Sequence, residues 1–90
     1  MTDVVHVPEE SRFEVREGDL TAVLVYEVED GRAALLHTVV PGALEGRGVG
    51  SALAERAVAW AVDEGLEVEP VCTFVAGWLA RHPEALPGSP

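Results

Sequence analysis

The chain contains no lysine, a single cysteine at Cys72, and no apolar run approaching the length of a membrane span. One cysteine cannot close an intramolecular disulfide or assemble a thiolate cage, so a reducing compartment is the natural setting and no metal centre is expected. No stretch resembles the ~20 consecutive apolar residues of a transmembrane helix. The start, MTDVVHVPEE, has acids and a proline where a signal peptide needs a basic start and an apolar core, so the expected location is cytoplasmic. Six arginines face sixteen Asp and Glu, a formal charge of −10 that disfavours nucleic-acid phosphates and anionic membrane surfaces. The acidity either maintains solubility or steers a cationic amine toward a site.

What is present is an ordinary globular composition, 48% hydrophobic over 90 residues, which suffices for one domain spanning residues 1–90 and needing no covalent staples. A monomer or weak dimer is expected. Residues 12–17 alternate charged and apolar side chains, Gly18-Asp19 and Asp30-Gly31 are turn signals, and residues 20–28 and 33–40 are apolar runs. These segments predict an antiparallel meander of three strands. The continuous apolarity of Ala33 to Leu36 points to a central strand covered on both faces. Val49, Leu53, Ala57 and Trp60 then recur at helical spacing until Gly65, residues 66–71 alternate as a fourth strand, and Phe74, Val75, Trp78 and Leu79 stripe a short helix ended by Pro83. The fold class is α/β, a mixed sheet of about four strands in the order βββ-α-β-α, with residues 1–10 and 85–90 flexible.

Between the third strand and the first helix lies Glu45-Gly46-Arg47-Gly48-Val49-Gly50-Ser51. Unpaired N–H groups and the positive end of the helix dipole face any anion placed there. A dinucleotide-binding fingerprint would need glycine where Ser51 stands, and no Gly-Lys-Ser/Thr ending exists for a P-loop. The loop is therefore either a plain turn or an anion cradle of another kind.

Val40-Pro41 followed by this loop and Leu53 resembles the acetyl-CoA pyrophosphate loop of GCN5-related N-acetyltransferases, whose pattern is Gln/Arg-x-x-Gly-x-Gly/Ala. Gly48 and Gly50 fit the pattern, the Gln/Arg position falls on Glu45, and Arg47 is the neighbouring cation. His37-Thr38-Val39-Val40-Pro41, read with Pro70-Val71-Cys72-x-Phe74-Val75-x-x-Trp78-Leu79-x-Arg81-His82-Pro83-Glu84, is similar to a minimal subfamily of short acetyltransferase-like proteins. The likeness covers residues 12–84. It implies a splayed strand pair, a pantetheine arm lying along Thr38, Val39 and Val40, and a pyrophosphate on Gly46, Arg47, Gly48, Val49, Gly50 and Ser51. It further implies an acetyl-CoA-dependent N-acetyltransferase acting on a primary amine, small or protein-borne, without the N-terminal helices that shape the amine pocket in larger relatives. The alternative is a CoA-binding or protein-interaction module of the same fold without turnover.

Cys72, just before the last helix, is either an inert small hydrophobe or a thiol acidified by the helix dipole, and the resemblance implies a catalytic role as general acid or acetyl carrier. His37 is either a general base or a structural histidine. Thr38 is a cofactor donor or simply a good strand former. His82 fits helix capping, Arg81 a CoA phosphate or solvent, and Trp60 and Trp78 fit core packing.

Overall fold

The computed structural model describes residues 2–87. A sheet of five strands runs in sequential order, β1 (Val5–Val7), β2 (Arg12–Glu17), β3 (Leu20–Glu29), β4 (Arg32–Val39) and β5 (Glu67–Pro70). Neighbours are antiparallel except β4 and β5, which are parallel and joined through helix α1 (Val49–Asp63). Helix α2 (Thr73–Arg81) follows β5. The mixed α/β architecture agrees with the sequence pattern, with one strand more than that pattern signals. β1 lies in the stretch expected to be a loose start and pairs with β2 in the register His6↔Phe13. At the other end, Ala85 and Leu86 pack against the core. Residues 88–90 lie outside the described residues.

Local chemistry accounts for the punctuation. Asp30 and Gly31 have φ of 52° and 74°, which is the two-residue hairpin conformation that closes Glu29 against Arg32. At the end of α1, Gly65 has φ 71°, its N–H donates to Val62 O, and Leu66 N–H donates to Ala61 O at 2.8 Å. This Schellman pairing satisfies the last carbonyls of the helix, and Leu66 then turns into the core.

The helices do not sandwich the sheet, contrary to the expectation for β4. One core unites Phe13, Val15, Ala22, Leu24, Tyr26, Ala33 and Leu35 with the apolar sides of both α1 and α2, so both helices cover the same face. On the other face Val23, Val25, Ala34 and Leu36 are half-buried without a helix above them. The open face also carries Glu14, only 1% exposed. Arg12 Nε donates to its carboxylate at 2.6 Å and Arg16 Nε at 2.8 Å, so two guanidiniums enclose it. Burial raises the carboxyl pKa, but these two arginines outweigh that and hold it below the usual range.

The register of β3 on β4 slips between Val25 and Tyr26. Val25 pairs with His37 and Tyr26 with Leu35, which leaves Leu36 as an extra residue. Such a bulge re-aims every side chain beyond it. Thr38 pairs with buried Leu24 and so shares the helix-covered face, whereas His37 turns to the open one.

Candidate functional site

β5 stops pairing with β4 at Leu35↔Pro70, and the last bond across the pair is Cys72 N–H to Leu35 O at 2.9 Å. β4 continues to Val39 without that partner, so the strands splay. A cavity of ≈ 580 Å³ opens beside the free end of β4, bounded by Thr38, Val39 and Val40 on one side and by residues 44–46 and 48–51 on the other. Every residue assigned to cofactor binding from the sequence lines it except Arg47, which is exposed beside it.

Gly46 and Gly48 have φ of 80° and 76°, a region costly for any residue with a Cβ, so the loop's shape depends on them. Gly48 is the N-cap of α1 and offers no side-chain cap. The first bond of the helix ladder runs from Ala52 N–H to Gly48 O at 3.0 Å. The N–H groups of Val49, Gly50 and Ser51 precede that ladder and carry the partial positive charge of the helix start into the cavity wall. An anion on this wall would meet donors without any side-chain rearrangement.

At the splay, Cys72 is the N-cap of α2, nearly buried at 9% exposure, with its Sγ 3.6 Å from Thr38 Oγ1. Burial pushes the thiol pKa up. The polar surroundings of the sulfur, the backbone at Val75, the Thr38 hydroxyl and the backbone at Phe74 and Thr38, outweigh it, and the net direction is down. The structure therefore brings Cys72 against Thr38, which lines the cavity, while Cys72 itself is buried behind it and is not part of the lining. The structure does not bring His37 to them, because the bulge places that ring, exposed, on the opposite face of the sheet.

Residues 12–86 match the family of GCN5-related N-acetyl-transferases. The chain belongs to that family. It is also 36% identical over 63 residues to Protein NATD1 of Gallus gallus, an alignment covering 69% of this chain and 57% of that protein. Protein NATD1 of Homo sapiens is likewise 36% identical, with 69% and 56% covered, and that of Xenopus tropicalis is 35% identical, with 69% and 58% covered. The matched region thus spans a little over half the length of these relatives.

For a GCN5-related acetyltransferase the loop has one departure. Glu45 lines the cavity at the position where the family pattern has Gln or Arg, so a carboxylate stands where a neutral or cationic side chain is usual. The remaining singled-out residues fall outside the cavity. His82 is the C-cap of α2, its N–H donating to Leu79 O and its ring stacked on Trp78 at 4.5 Å. Trp78 is buried in the core, and Trp60 belongs to an aromatic cluster with His6, Phe13 and Tyr26. Phe74, which the apolar pattern assigns to a packing stripe, instead has its ring in the cavity lining and is 42% exposed. Its position in the first turn of α2, directly after the strand splay, is the sequence signal for that role.

Among the described residues no helix is long and apolar enough to cross a membrane, and no group of three His, Cys, Asp or Glu converges as a metal site would require.

Proposed function

We propose that this acetyltransferase-family chain uses acetyl-CoA to acetylate a primary amine, on a small molecule or a protein, in the cytoplasm, as a monomer or weak dimer. The observation that carries the reading is one cavity with helix-start N–H groups on one wall and, at the splayed strands, Thr38 in contact with Cys72.

The residues present fit the cosubstrate. The N–H groups of residues 49–51 suit a pyrophosphate, and the unpaired edge of β4 at Thr38 to Val40 suits an amide-bearing arm. Backbone N–H groups near Val39 and Val40 are the donors for a developing oxyanion, and losing one such donor typically costs about 10²–10³ in rate. Because α1 and α2 close the other face, the open face is the side from which an amine arrives, and His37 stands there to accept its proton. Cys72, on the covered side, is suited to return a proton to the departing sulfur, with Thr38 stabilising the thiolate left behind. Base and acid then work from opposite faces of one strand. The same Cys72 could instead carry the acetyl group transiently.

A CoA-release assay against a panel of primary amines and lysine peptides tests this reading, with amine-dependent release expected. A second reading, a CoA-binding module without turnover, is favoured by the Glu45 carboxylate on the cavity and by the absence of any helix over the open face among the described residues. Saturable CoA binding with no release across the panel would select it.

A further inference from the structure

Gly46 and Gly48 need positive φ, but Gly50 does not; it lies within the first turn of α1, where alanine is the better helix former. What requires glycine at this position is a neighbour. A Cβ built on Gly50 would lie 2.8 Å from Cζ of Phe74 and 3.1 Å from its Cε2, closer than carbon atoms pack. The ring of Phe74 therefore rests edge-on against the helix start, held there by the missing side chain. It is one of the few large apolar groups left exposed, and its exposed part faces the cavity that also contains Thr38, Val39 and Val40. An aromatic ring kept half in water is an unsatisfied apolar surface, and covering it on ligand binding is favourable.

We infer that Phe74 and Gly50 form a steric pair that sets the width of the cosubstrate groove, with the ring as the apolar wall that packs against the pantetheine arm. This rests on the acetyl-CoA reading and assigns one residue, Phe74, to recognition of the arm rather than of the phosphates. Glycine at position 50 is then needed to let the ring stand in the wall. The ring tip is the far end of a half-exposed side chain, so Gly50→Ala displaces the ring and leaves the fold intact.

The test is a double-mutant cycle read by calorimetric titration of the full chain with acetyl-CoA, with circular dichroism to verify folding. Phe74→Ala should weaken binding about tenfold, the scale of losing one well-packed aromatic contact. Phe74→Leu, which keeps an apolar wall, should recover most of that loss. Gly50→Ala should cost about as much as Phe74→Ala when Phe74 is present, and add nothing when position 74 is already alanine. Equal cost of Gly50→Ala in both backgrounds, or unchanged affinity in Phe74→Ala, would overturn the pairing while leaving the acetyl-CoA reading in place. A wild-type chain that binds no acetyl-CoA overturns that reading, and the assignment of Phe74 with it.

Discussion

Cys72 sits under opposing influences, burial favouring the thiol and the nearby backbone and Thr38 hydroxyl favouring the thiolate. The hydroxyl of Thr38 is the one contributor that a mutation can remove without disturbing the backbone. Thr38→Val should therefore move the pH dependence of iodoacetamide labelling at Cys72 upward, with slower labelling at neutral pH, and acetyl-CoA should protect the wild-type thiol. For Cys72→Ala, a general acid or acetyl carrier predicts a turnover loss of about 10²–10⁴ with acetyl-CoA affinity retained, whereas a packing role lowers the melting temperature and leaves activity per folded molecule unchanged. His6 gives a separate, pH-linked test. Its Nε2 lies 2.7 Å from the Tyr26 hydroxyl and its ring stacks on Phe13 at 4.1 Å. Burial lowers its pKa and Arg56 adds to that, against the opposing pull of Glu9 and Glu64. A histidine held neutral stabilises the fold above its unfolded pKa, and that contribution is lost as pH falls through the folded value. Melting temperature should fall as pH drops from about 7 through the acid side of the ordinary histidine range, and His6→Phe should flatten that slope. Thr38 and His37 also illustrate what a sequence withholds. Alternation places them on opposite faces, but which one meets the helices depends on the extra residue at Leu36, and no residue type in that stretch announces a bulge.

The elements best announced were those whose signals are local. The hairpin at Asp30-Gly31, the glycine loop before α1 and the stop at Gly65 each require a backbone conformation that few residues tolerate, and the residues that tolerate it are present. Gly65→Ala should accordingly cost about 1 kcal/mol in chemical denaturation, because it forces a Cβ into the left-handed conformation at the Schellman end of α1. β1 was not announced, since three residues carry no usable periodicity and its hold on the sheet comes from distant partners, Tyr26 and Phe13. Likewise, the apolarity of Ala33 to Leu36 reads as burial on both faces, yet both helices pack on one face and Ala34 and Leu36 are only half-buried on the other. Glu14→Gln removes the charge that two guanidiniums enclose and should destabilise by about 1–3 kcal/mol. The effect should shrink at acid pH, since a depressed carboxyl contributes above its unfolded pKa and is lost as pH falls through the folded one.

At the scale of the whole molecule, a five-stranded sheet covered on one side leaves its other side open with His37 on it, the face that the proposed function assigns to the acceptor. A formal charge of −10 would favour a cationic amine there, and the proposed anionic cosubstrate would have to be held by the local N–H groups of the glycine loop. Acetyl-CoA binding as proposed therefore depends on that loop. Its most direct test is calorimetric titration of acetyl-CoA into the wild-type chain and into Gly48→Val, which strains a backbone held at φ 76° at the helix N-cap. Saturable one-to-one binding by the wild type, lost in a folded Gly48→Val protein, is the result predicted. No binding by the wild type at millimolar acetyl-CoA, or equal binding by the folded variant, would contradict it.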